Sequence, residues 1–427
     1  MNESFLQYIW QHRLLQSRNL VTTDGRQLKI LRPGELNRDS GPDFFNARVV
    51  IDGVEWAGNI ELHVRTSDWN AHRHSQDKAY NGIVLHVVYE HDADIVMQNG
   101  KQPVTLELKS YVSPALLERY DSLTNAAGDR LACAGSVVEL PSFIVDSFLD
   151  RLYVERLESK AETVHRLLEE NRGDWEQTCY WLIARYFGGR VNSLAFELLA
   201  KATDQKLLAR WKDNPKRLEA ILMGQAGLLD GFFEDDYPRQ LQADYEAIRS
   251  GLGLQPIGGQ LWKFYRVRPG SFPTLRISQF AHLIAESGNL FSTLLGMTDA
   301  RKIVTLFNQQ ASDYWRTHYR FDQPSNSEHA KGIGHSQAEL LVINAWVPLL
   351  FVYGADHGQQ EYKEQAIDIL HQLPPESNNI IRRWKDTGLK INDAACSQAL
   401  LQLTNNYCTN RRCLECTIGY NIIKHNQ

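Results

Sequence analysis

The sequence predicts an α+β protein: an N-terminal mixed α/β sheet domain, residues 1–130, then a larger all-helical domain, residues 131–427, ending in a four-cysteine metal site. Three observations lead there. Between residues 20 and 110, short β-prone runs are separated by Asp24-Gly25, Pro33-Gly34, Asp52-Gly53 and Asn99-Gly100, which is the punctuation of strands and tight turns. Beyond residue 141 almost every segment repeats its apolar residues at helical period, and strand-like alternation is almost absent. Four of the six cysteines fall in the last 32 residues, a distribution that suits a metal better than a secreted disulfide framework.

A chain of 427 residues exceeds one typical core, and 43% hydrophobic with 23% charged residues is an ordinary globular composition. The net charge of −5 excludes a protein that coats nucleic acid non-specifically, so any such contact must be a local basic patch. Glu3, His12 and Arg13 interrupt the apolar residues of the first seventeen positions, so no signal-peptide core is read there. The most apolar run, Leu340 to Tyr353, carries Asn344 and Pro348 and is shorter than the roughly 20 residues a bilayer needs. A cytoplasmic protein without a membrane partner is expected.

In chain order, Phe5, Tyr8, Ile9, Leu14 and Leu15 predict an amphipathic helix over 3–17. Hairpins are predicted around Asp24-Gly25 and Asp52-Gly53, because both central residues of a type I′ turn need positive φ. The run Ile83 to Tyr89 reads as a strand buried on both faces, and PVTLELK after Asn99-Gly100 as the last strand. Ser113-Pro114 caps a helix through Leu123. Helices are then expected over 143–170, 174–187, 192–202, 215–229, 277–286, 337–353, 362–373 and 393–407.

Chemistry concentrates between Gly41 and Asp92, where five of the fourteen histidines stand among acids, the donor mixture that hard and borderline divalent ions take. In the hairpin at Asp52-Gly53, residues whose numbers sum to about 105 face each other. Asp43 is thereby set across from Leu62, between Glu61 and His63, but on the opposite face unless a bulge intervenes or Asp43 lies just off the strand end. Asp43, Glu61, His63 and Arg65 are the candidate catalytic residues: two acids for a metal, a histidine as ligand or base, and an arginine to steady a phosphate. Glu35, Asp68, His72, His74 and Asp77 are additional candidates. The ordinary use of such a strand face is a solvated salt bridge.

Pro42-Asp43 followed by Glu61-Leu62-His63 resembles the metal-binding signature of the PD-(D/E)XK nucleases. That resemblance implies a core of helix, three strands, helix and strand, with two acidic groups holding Mg²⁺ or Mn²⁺; the departure is His63 where lysine is usual. GPDFFNARV, WAGNIELHV, SDW, HRH, YNGIVLHVVYEHD and YCTNRRCLECTIG also resemble, over nearly the whole chain, an uncharacterised bacterial family, the domain of unknown function numbered twenty-eight fifty-one. That family brings no activity with it.

Cys396, Cys408, Cys413 and Cys416 have the spacing of a Cys₄ site for Zn²⁺ or a four-iron cluster. Arg268, Arg276, Arg411 and Arg412 are the candidate nucleic-acid contacts, the first two among aromatics that can stack bases. The expected function is a divalent-metal-dependent nuclease or related phosphodiesterase. The alternatives are a non-enzymatic nucleic-acid-binding or scaffold protein, and a metal-dependent small-molecule hydrolase built on His72, His74 and Asp77.

Overall fold

The computed structural model describes residues 1–124, 131–326 and 328–424. These form two compact units: Met1–Phe148 with Arg383–Leu389 and Leu403–Gln427, and Leu149–Arg382 with Lys390–Gln402. A single boundary at 130 was expected; that position lies in 125–130, outside the described residues. The difference arises because the chain's last segment returns to the first unit. Its terminal helix, Thr417–Lys424, lies against the helix Pro114–Thr124, and the Arg119 Nε–H donates to the Ile423 carbonyl at 3.0 Å.

The first unit begins with α1 (Glu3–His12), where the Asn2 side chain caps the Phe5 N–H at 2.9 Å. The helix stops short of the predicted residue 17 because Arg13 turns left-handed, with φ 52°. The Arg13 N–H then donates to Trp10 O and the Leu14 N–H to Ile9 O, the paired closure of a Schellman motif. Seven strands follow: β1 (Leu20–Val21), β2 (Gln27–Arg32), β3 (Glu35–Leu36), β4 (Phe44–Ile51), β5 (Val54–Arg65), β6 (Ile83–Glu90) and β7 (Thr105–Glu107). They form one sheet in the order β1-β2-β4-β5-β6-β7, with β3 paired to β4.

The β4–β5 turn has the predicted form, since Asp52 (φ 46°) and Gly53 (φ 80°) both sit at positive φ between the paired Ile51 and Val54. The β1–β2 hairpin also forms, but only Gly25 of its Asp-Gly pair is at positive φ. From β5 onward the pairing turns parallel, β5 to β6 and β6 to β7, so β6 is covered on both sides and its near-continuous apolar run is explained. The crossover between β5 and β6 is not one helix. It is α2 (Asp68–Ala71) and two short 3₁₀ turns, and it wraps Trp69, Tyr80 and Ile83 into a small apolar cluster with Ile95 and Met97.

The second unit is helical around one large apolar core. Its central element, His335–Asp356, is long and apolar enough to cross a membrane by length and composition, and most of it is buried in that core. Pro348 has no N–H to give, and the turns just before it, Val342–Trp346, widen to a π-helix while Asn344 Nδ2 bonds the Leu340 carbonyl at 2.9 Å. The Lys160 ammonium donates to Asn344 Oδ1 at 3.0 Å. Helices at Asp236–Leu252, Leu290–Leu295 and Ala300–Phe307 were not predicted from periodicity.

Candidate metal centre

Strand β5 carries Glu61 and His63 two residues apart, and both are buried. Asp43 reaches them through a register change. Phe44 pairs with Ile60 but Ala47 with Gly58, so β4 bulges by one residue where Asn46 takes φ 57°. The bulge moves Asp43, just off the strand end, from beside Leu62 to beside Glu61. The two residues lock there: the Asp43 N–H donates to Glu61 Oε2 (3.0 Å), and the Leu62 N–H donates to Asp43 Oδ2 (2.9 Å). From α1, Gln7 Nε2 donates to the other Asp43 oxygen at 2.8 Å.

The crossover supplies the imidazoles. Ring nitrogens of His63, His72 and His74 lie within 4.8 Å of one another, and among the described residues this is the group of His, Cys, Asp or Glu donors that close. His63 Nε2 is 3.2 Å from His72 Nδ1 and 3.7 Å from Glu61 Oε1, and His74 Nε2 is 3.2 Å from the same oxygen. Tetrahedral ligands about 2.1 Å from one ion stand roughly 3.4 Å apart, so these separations suit ligands of a common cation. Although His74 Nε2 approaches Glu61, it is buried and makes no hydrogen bond of acceptable geometry. His63 Nδ1 lies 2.9 Å from buried His86 Nε2, the contact by which an outer histidine fixes the tautomer of a ligand. Trp69 and Tyr80 close the apolar side, with Tyr80 3.8 Å from His74 between ring centroids.

The electrostatics follow from burial. Desolvation, then the neighbouring Glu61 charge, pushes the Asp43 carboxyl up to about 7. Desolvation and the charges of His86, His74 and His72 push His63 down to about 2, and His86 falls to about 3, so both rings stay neutral and keep a lone pair. The Glu3 carboxyl on α1 is raised by burial and senses His72, Glu61, Asp68 and His74.

A family model described as a protein of unknown function, DUF2851, matches residues 3–379. The chain belongs to that family. No curated protein and no solved structure matches it. The DUF2851 match covers every residue of the histidine corner and ends before Cys396.

Several predicted site residues stand elsewhere in this DUF2851 chain. Arg65 is exposed beside Glu90 in the β5–β6 register, where its charge is felt by Glu90 and Asp92, because β5 has left the buried corner by that point. Asp68 accepts the Arg65 N–H at 2.8 Å, and Asp77 accepts the Ala79 N–H at 2.9 Å as the cap of a 3₁₀ turn. Glu35 is exposed on β3 and pairs with Arg32. Arg412 pairs with Glu415, and Arg411 and Arg412 border one cavity of the first unit. Arg268 and buried Arg276 border one cavity of the second unit. Cys396 lies in the second unit, whereas Cys408, Cys413 and Cys416 lie in the first, so the predicted set of four does not share a unit.

Glu3, Gln7 and Tyr80 join the corner without having been predicted. The first two had a signal, being four apart on one helix face beside Asn2; Tyr80 had none.

Proposed function

We propose that the first unit is a divalent-metal-dependent phosphodiesterase that cleaves nucleic acid. The observation that carries the reading is the convergence of Glu61, His63, His72 and His74 on one corner, buried at all but the exposed His72, with Asp43 one hydrogen bond away. The unit's element order supports it: α1, the antiparallel strands β2-β4-β5, a crossover with a short helix, and β6 parallel to β5 follow the sequence implied by the PD-(D/E)XK resemblance.

His63, His72, His74 and Glu61 would hold the cation; three imidazole donors favour a borderline ion such as Zn²⁺, and among the hard ions Mn²⁺ binds nitrogen more readily than Mg²⁺. Bound there, the ion supplies charge for a phosphoryl oxygen and acidity for a water. Asp43, pushed up to about 7, exchanges a proton near neutral pH. Gln7 and the Leu62 N–H fix its orientation, while Trp69 and Tyr80 keep bulk water from the histidine side. In the second unit, Arg190, Arg266, Arg268 and Arg276 border a cavity of about 650 Å³. Arg276 is buried beside Gln279 and Ser271 and, among the described residues, has no carboxylate within ion-pair distance, which supports a phosphate contact.

The test is cleavage of single- and double-stranded DNA and RNA with Mg²⁺, Mn²⁺ or Zn²⁺, comparing wild type with Glu61→Ala. Metal-dependent cleavage that falls at least about 100-fold in the variant is expected, since losing a ligand of the ion costs no less than losing a partner that orients one. Wild-type protein inert on all four substrates, or a variant as active as wild type, sinks the reading.

A further inference from the structure

The first unit holds a second cluster of metal-binding side chains that the sequence spacing misassigns. Cys408 ends the π-helical turns Leu403–Cys408, and Cys413 opens the 3₁₀ turn Cys413–Glu415. Cys416 precedes the helix Thr417–Lys424 and accepts the Tyr420 N–H at 2.8 Å. This knuckle is built for close approach: a Cβ on Gly419 would come within 2.1 Å of the Cys413 carbonyl oxygen, so no other residue fits without moving it. The fourth thiol facing it comes from more than 270 positions earlier. Cys133 starts the turns into the 3₁₀ segment Val137–Glu139, its carbonyl taking the N–H groups of Ser136 and Val137.

Cys133, Cys408, Cys413 and Cys416 border one cavity of about 310 Å³, into which Cys396 does not project. Cys408, Cys413 and Cys416 all lie within electrostatic reach of Cys133, and Cys413 and Cys416 within reach of Cys408.

We propose that Cys133, Cys408, Cys413 and Cys416 ligate a [4Fe–4S] cluster in the first unit, with Cys133 rather than Cys396 completing the set. Size decides between the two Cys₄ ions. A single zinc with sulfurs at about 2.3 Å requires them within roughly 4 Å of each other. Among the described residues no three of these sulfurs lie within even 4.8 Å, whereas they ring a cavity. A four-iron cube fills such a space and sets its thiolates farther apart. Its place is that of a clasp, tying the turn after α3 (Pro114–Thr124) to the returning end of the chain.

The test uses the full chain, made with iron supplied and purified without oxygen, and measures visible absorbance, iron and acid-labile sulfide. Four irons and four sulfides per chain are expected in wild type and in Cys396→Ser, with loss of both in Cys133→Ser. Should Cys133→Ser prove insoluble, thiol alkylation of the native holoprotein serves: Cys396 should react, and the other four only after a chelator strips the iron. One zinc without sulfide, a metal-free wild type, loss of iron in Cys396→Ser, or alkylation of the four before chelation overturns the proposal.

Discussion

Two buried glutamates, one in each unit, meet opposite surroundings. Glu197 in the helical unit is 3% exposed and takes hydrogen bonds from Arg185 (2.5 Å), Lys201 (2.7 Å) and Arg166 (3.2 Å). Burial alone would raise its pKa, but those donors win and hold it at about 2. Glu61 in the sheet unit is 5% exposed, and its nearest side chains are the imidazoles of His74 and His63, one of which has a buried nitrogen with no hydrogen bond. One carboxylate is completed by the protein's own cations. The other takes one backbone N–H, from Asp43, and otherwise meets imidazole rings, which is the gap the proposed cation would fill. A buried acid therefore points to a site when no fixed cation of the protein pairs with it, not because it is buried.

Breaking each glutamate should separate the two cases. Glu197→Ala leaves three cations around a void. Because those cations are partly in water, the loss is placed at the lower end for a broken buried pair, about 3 kcal/mol. Glu61→Ala should change metal-free stability by less than about 1 kcal/mol, since it removes an acid with no cation to strand. Urea unfolding of both variants with a chelator present makes the comparison; equal losses would erase the contrast.

Adding metal should invert the ranking. Mn²⁺ or Zn²⁺ should raise the Tm of wild type and of Glu197→Ala but not of Glu61→Ala. His86→Phe, which removes the contact orienting His63, should weaken ion affinity about 10- to 100-fold. Calorimetric titration measures both, and an unchanged affinity in His86→Phe would strip that ring of its orienting role.

Acid gives a subtler difference. A carboxyl at about 2 in the folded chain and near 4.5 when unfolded adds stability that is complete above pH 4.5 and is lost as pH falls towards 2. Glu197→Gln should flatten that part of the stability curve, followed by chemical denaturation between pH 2 and 6. The smallest effect is expected at Arg412–Glu415, an ion pair exposed by more than 40% on both sides, where Arg412→Ala should cost no more than about 0.5 kcal/mol.

The Asp52-Gly53 hairpin and the buried β6 strand were legible because turn chemistry and hydrophobic pattern act over a few residues. Glu61, His63, His72 and His74 were legible for the same reason, being close in sequence as well as in space. The bulge was foreseen only as one of two ways for Asp43 to reach Glu61, and its place at Asn46 was not legible, because one extra residue in a strand leaves no mark in composition. Arg65 was misplaced by extending strand alternation past the point where β5 leaves the corner.

By itself, the sequence determined a sheet-forming front, a helical remainder, a histidine-rich crossover and three cysteines in a terminal knuckle, all properties of neighbouring residues. Tertiary structure decided which distant groups complete each cluster: Gln7 and Glu3 from α1, His86 from β6, and Cys133 in place of Cys396. The physical reason is that such clusters are assembled by strand register and by the return path of the chain. Both are fixed by burying whole elements rather than by the spacing of the clustered residues themselves.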